Sequence, residues 1–307
     1  MLLRKSVCLV LVIGCVLSCG YQLSGNEELT DAPRYNLVCA DFAKGEVCII
    51  NSKGKITRRF QTQNPNDVWA LPNGEIVFAW RKGVKIYDKS GKLVFDWLSD
   101  FPNDEIHTCQ PLANGNVLIA QNGPSQLIEV SRAGKILKTI PVPSRKNDVH
   151  MRYRMCRKLS NGNYLCMISC DNEIREVAPN GKLVRSIKNL EGVSMAKPHA
   201  VVRLPNGNTL FSTGAGVQAV EIDQQDRIVW QLKPDDLPEI KMGFMTGLNR
   251  LPNGNTVICF YQGSHHVIEV NREKKLVWKW RIPSQKTVVS IQILDQPGDA
   301  SHGQILK

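Results

Sequence analysis

Aromatic residues are scarce in this chain, at 7% of 307 residues, and no linker or shift in composition divides it after residue 35. Without a linker, a string of small domains is excluded, and one large closed domain is expected instead. Apolar residues make up 42%, ample for its core. CxxC and His/Cys ligand spacings are both missing, so neither a metal centre nor another cofactor is expected. Of the ten cysteines, Cys8, Cys15 and Cys19 belong to the N-terminal segment, which leaves Cys39, Cys48, Cys109, Cys156, Cys166, Cys170 and Cys259. An odd set at strand positions argues against a disulfide framework and for small buried core residues. Cys166 and Cys170 lie roughly 13 Å apart along an extended strand, too far to bridge. No basic-aromatic module is present, so nucleic acid is not an expected partner.

The N-terminus reads as a signal peptide over residues 1–18. Arg4 and Lys5 supply the positive start, and Val7 to Leu17 is an apolar stretch too short to span a bilayer comfortably. It ends in Val16-Leu17-Ser18-Cys19-Gly20. That run resembles the bacterial lipobox, which implies lipidation at Cys19 and stable anchoring by two acyl chains. Residues 19–35 then form the lipidated Cys and a flexible polar tether. The expected location is outside the cytoplasm, lipid-anchored in a bacterial cell envelope, in the periplasm or at the cell surface. Formal net charge is +11. Most lysines sit in repeated turns, as a solvated basic rim or as attraction for acidic glycans and sulfated compounds.

A repeat organises the rest. Leu71-Pro72-Asn73-Gly74, Leu112-Ala113-Asn114-Gly115, Leu159-Ser160-Asn161-Gly162, Leu204-Pro205-Asn206-Gly207 and Leu251-Pro252-Asn253-Gly254 recur at steps of 41, 47, 45 and 47 residues. Asn-Gly between apolar runs signals a hairpin, because both residues tolerate positive φ. A second turn follows each, as in Lys89-Ser90-Gly91-Lys92 and Pro179-Asn180-Gly181-Lys182. One period therefore holds four strands, the signature of a propeller blade. The N-terminal unit lacks its innermost strand, and Val288 to Leu294 supplies a candidate. The expected fold is all-β: a six-bladed β-propeller over residues 36–295, closed by a C-terminal strand joining the N-terminal blade, with a tail over 296–307.

The repeat also indexes the channel. Seven residues before each motif Asn lie Asn66, His107, Arg154, His199 and Thr246. In the expected register these share one ring where the inner strands begin. Neighbouring loops add Arg81, Arg152, Lys197 and the His265-His266 pair, whose members alternate faces so that at most one reaches the mouth. The candidate ligand-binding set is Asn66, Arg81, His107, Arg152, Arg154, His199, Thr246 and His265. Such a mouth suits a carboxylate, sulfate or phosphate. A plainer reading stands beside it, in which each His merely hydrogen-bonds a neighbouring blade's backbone.

The segments from His107 to Ile119 and from His199 to Leu210 resemble PQQ-like propeller repeats and the repeats of bacterial arylsulfotransferases. The likeness covers nearly all of residues 36–295. The arylsulfotransferase resemblance implies a His nucleophile in the channel, His107 or His199, with Arg154 and the second His stabilising oxyanions and protonating a leaving phenolate. For the quinoprotein side, the adjacent Cys-Cys pair and a calcium-ligand set are lacking. The expected function is non-enzymatic binding of an anionic ligand, glycan or envelope protein, with sulfuryl transfer as the alternative.

Overall fold

The computed structural model describes residues 31–296. The expected signal peptide, Cys19, the tether through residue 30 and the tail beyond residue 296 lie outside the described residues. Among the described residues, twenty-four strands form six antiparallel sheets of four, arranged as the blades of a propeller. The inner strands are Val288–Ile293, Val68–Ala70, Cys109–Pro111, Tyr153–Lys158, Val201–Arg203 and Met245–Arg250, taken as blades 1 to 6. Closure is as expected: Val288–Ile293 pairs with Leu37–Asp41, with Leu37 opposite Ile293 and Val38 opposite Gln292. At the seam, the Asn36 backbone N–H and side-chain amide each donate to the Asp295 carboxylate at 2.6 Å.

The Asn-Gly turns differ from the expected conformation in one respect. Only the Gly has positive φ, as at Gly74 (+84°) and Gly207 (+85°), while the Asn does not. The Gly74 N–H donates to the Leu71 carbonyl at 2.8 Å, so Pro72 takes the second position of a turn that its ring pre-sets. Asn73 contributes through its side chain, whose Oδ1 accepts from the Glu75 N–H at 3.0 Å. The same contact recurs at Asn114, Asn161, Asn206 and Asn253. In the outer turns of blades 5 and 6, where no Gly is available, Asp226 and Lys274 take the positive φ.

Apolar faces of neighbouring blades pack together. Val38, Val47 and Phe60 of blade 1 meet Val68, Ile76 and Phe78 of blade 2, for example. The seven described cysteines are buried and unbridged. Residues ahead of the ring also pack on it. The Trp278 indole N–H donates to the Ala32 carbonyl at 2.7 Å, and Tyr35 meets the Trp278 ring edge-on at 5.3 Å.

Buried acids tie outer strands to adjacent loops. Glu173 accepts from Arg175 at 2.8 Å and also from Arg145 and Ser186. Burial alone pushes its carboxyl up, but these hydrogen bonds outweigh burial and hold it at about 2. A depressed carboxyl contributes stability that is fully present above the ordinary value of 4.5 and is lost as pH falls through about 2. Glu173→Gln is therefore expected to lower the melting temperature at pH 7. The gap to the unaltered protein should close as pH falls from 4.5 toward 2. A gap unchanged across that window would show that Glu173 carries no such linkage.

Candidate functional site

Where the inner strands begin, five of the six blades bring a residue to one cavity. Asn66, Arg154, His199 and Thr246 line one cavity of about 360 Å³, with Val289 of blade 1 among the lining residues. Backbone contacts lock this ring. The Met155 N–H donates to the His199 carbonyl at 3.2 Å, and the Thr246 hydroxyl donates to the Val288 carbonyl at 3.3 Å. Phe42, His150, Met151, Lys197, Phe244 and Tyr261 complete the wall. The cavity wall thus combines cations, Arg154 and Lys197, with the aromatic rings of Phe42, Phe244 and Tyr261. Phe42 and Tyr261 meet edge-on at 6.1 Å, and Phe244 stands perpendicular to the His199 ring at 6.1 Å.

Arg154 is the unusual member. It is buried, at 7% exposure. Its guanidinium contacts His107 Nδ1 and the Met151 thioether, the latter at 2.9 Å, while its Nε has no partner among the described residues. No carboxylate among the described residues lies within ion-pair distance of it. Burial pulls its pKa down to about 10, and the charges of Glu105 and Asp148 pull the other way. It remains a cation at neutral pH. His199 lies on the same wall, its Nδ1 without a partner among the described residues. Burial, and then the charge of Arg154, hold it well below the ordinary imidazole value.

His107 is not among the residues lining the cavity. Its Nδ1 accepts from the Arg154 guanidinium and lies 3.3 Å from the Tyr153 carbonyl of the next blade. Its Nε2 is 3.1 Å from Glu105 Oε2, and the same oxygen takes His150 Nδ1 at 2.7 Å. Burial first, and then Arg154, lower His107 to about 4, so the contact with Glu105 is a hydrogen bond from a neutral ring at neutral pH.

Three further candidates lie elsewhere. Arg152 is buried, but its guanidinium is fully engaged by the fold. It donates to the Asn122 and Gly123 carbonyls, to Ser144 Oγ at 2.8 Å and to Asn147 Oδ1 at 2.9 Å. It staples two loops and has little left for a ligand. Arg81 is exposed and not on the cavity wall. His265 is partly buried away from the cavity wall, with Nε2 at 3.5 Å from Asp31 and Nδ1 at 2.8 Å from Ser264 Oγ. His266, its neighbour, is buried with Nδ1 unpartnered and also misses the cavity.

The repeat could not index Phe42, because blade 1 has no Asn-Gly turn. Yet Phe42 follows the second strand of its blade as Tyr261 follows the second strand of blade 6. Counting from the second strand would have found it. Glu105, His107 and His150 form a group of metal-capable donors that no sequence spacing announced, since His150 belongs to a different loop.

No family model matches the chain, and no curated protein matches it. Solved structures do. A protein of unknown function from Bacteroides caccae is 28% identical, with a TM-score of 0.75 over 84% of this chain and 98% of that one. A streptogramin B lyase is 12% identical, with a TM-score of 0.61 over 84% and 86%. A catalytically inactive variant of virginiamycin B lyase from Staphylococcus aureus, with quinupristin, is 13% identical, with a TM-score of 0.59 over 84% and 88%. At these identities the lyases share the fold alone. Repeat, strand topology and solved relatives converge on a six-bladed β-propeller.

Proposed function

We propose that this chain is a lipid-anchored, extracytoplasmic propeller that binds a small anionic ligand with an apolar or aromatic body at its channel mouth, without turning it over. One observation carries the reading: a buried Arg154 guanidinium that touches only neutral groups, on the wall of a cavity large enough for a ligand. Burying a cation costs several kcal/mol unless an anion balances it. A carboxylate, sulfate or phosphate supplies that balance, with Lys197 as a second cation on the wall and Phe42, Phe244 and Tyr261 to receive the apolar part. An acidic glycan or an envelope protein could offer the same anion, but a cavity of about 360 Å³ suits a small molecule better.

The test is a titration of benzoate, phenyl phosphate and phenyl sulfate against benzamide, a neutral control of the same shape. At least one anion should bind while benzamide stays silent. Lys197→Ala should weaken that binding by about five-fold, the worth of one exposed charge at roughly 1 kcal/mol. Equal binding of benzamide, or no binding by any anion, rejects the reading.

A second reading is sulfuryl transfer of the arylsulfotransferase kind. It is favoured by His199, whose free Nδ1 and uncharged ring on the cavity wall suit a nucleophile beside a cation. His107, held by Glu105 and off the cavity wall, fits that role less well. Release of nitrophenolate from 4-nitrophenyl sulfate with a phenol acceptor, lost in His199→Ala, would replace the binding reading with this one.

A further inference from the structure

We propose that the rim of the channel mouth holds a divalent transition-metal ion of the zinc class, with Glu105 Oε2, His107 Nε2 and His150 Nδ1 as its protein ligands. The three donor atoms all lie within 4.8 Å of one another. Two imidazoles and a carboxylate are the nitrogen and oxygen set that zinc and its first-row neighbours prefer.

The fold arranges this set from two sides. Ile106 is fully buried, and its N–H donates to the Arg81 carbonyl at 3.1 Å. In extended chain that anchor leaves Glu105 and His107 on a common face. His150 comes from the loop of the next blade, where the Val149 carbonyl is held by the Asn122 amide at 2.8 Å. Ligand atoms about 2.1 Å from a tetrahedral ion sit roughly 3.4 Å apart. The observed separations from Glu105 Oε2 are 3.1 Å to His107 and 2.7 Å to His150, so the ion needs only a small outward shift of an exposed loop histidine. The Tyr153 carbonyl, 3.3 Å from His107 Nδ1, is the kind of acceptor that a metal-bound imidazole uses for its other nitrogen. Binding then moves the single proton of the neutral His107 ring from Nε2 to Nδ1, where it is donated to the Tyr153 carbonyl in place of the Arg154 contact.

Three protein ligands leave a coordination position open, and His150 is part of the cavity wall. That position and Arg154 are placed to share one anionic group, a point that rests on the anion-binding reading. The shared anion would also offset the repulsion between metal and guanidinium.

Zinc alone is the probe. Tag-free protein, stripped with chelator and desalted, is titrated calorimetrically and its retained metal counted. One equivalent should bind, and His150→Ala and Glu105→Gln should each weaken it about 10-fold or more. The exposed His150 has Glu105 as its only hydrogen-bond partner among the described residues, so the metal-free His150→Ala protein should melt as the unaltered one does. Substoichiometric uptake, or His150→Ala binding zinc as tightly as the unaltered protein, overturns the site and shows Glu105 to be a hydrogen-bond clamp only. Because no organic anion is present, that failure leaves the Arg154 reading standing. Intact zinc uptake with no anion binding would leave the metal site standing instead.

Discussion

Arg154→Met is expected to weaken binding of the aryl anion by about 100-fold, roughly 3 kcal/mol, while leaving the melting temperature unchanged or raising it. The two halves come from one geometry. In the free protein the guanidinium is buried against an imidazole and a thioether, with an orphan Nε. Replacing such a cation by an apolar side chain of similar length removes a desolvation cost rather than a stabilising pair. In the bound protein the same group would make charge-assisted hydrogen bonds in a poorly hydrated cavity, worth more than at an open surface. Calorimetry and thermal melting of one variant check both. A lower melting temperature with affinity intact would mean that Arg154 is a structural residue.

Arg157 makes the contrast on the same inner strand. It is fully buried, and it grips Asp67 bidentately, Nη1 to Oδ2 at 2.8 Å and Nη2 to Oδ1 at 3.2 Å. It also stacks over Trp69 at 4.7 Å and donates to Thr108 Oγ1 at 3.0 Å, so blades 2, 3 and 4 meet through it. Arg157→Met removes the guanidinium that balances a buried carboxylate, which costs about 3–5 kcal/mol. At 2–4 °C per kcal/mol the melting temperature should fall by roughly 10 °C. Adding Asp67→Asn should recover part of the loss, because the amide carries no charge to strand. A single variant that melts within about 2 °C of the unaltered protein would show the pair to be incidental. Two arginines three positions apart thus carry opposite expectations: one should cost stability when lost, the other should cost binding.

The fold was legible because its turns repeat. Leu-Pro-Asn-Gly fixes hairpin ends through a Pro that pre-sets a turn, an Asn side chain that caps it and a Gly that takes positive φ. A fixed strand register then carries each residue seven positions upstream to the same height in the channel. That is why Asn66, Arg154, His199 and Thr246 could be named together. The loops were not legible, since their lengths and their mutual contacts lie outside the period. Arg152 looks like a ligand-binding cation in sequence and is bound to loop carbonyls in the fold. His265 contacts Asp31 instead of the cavity. His107 holds the right repeat position, yet it is engaged by Glu105 and Arg154 and lies off the cavity wall. The aromatic wall was half hidden because Phe42 sits in the blade without the motif.

The most direct measurement is a crystal structure with 4-bromobenzoate, located by the anomalous signal of its bromine. The carboxylate should lie against the Arg154 guanidinium, with the ring between Phe42, Phe244 and Tyr261. A bromine peak elsewhere on the molecule, with the Arg154 cavity holding only water at saturating ligand, would contradict the assignment of the channel mouth as an anion-binding site.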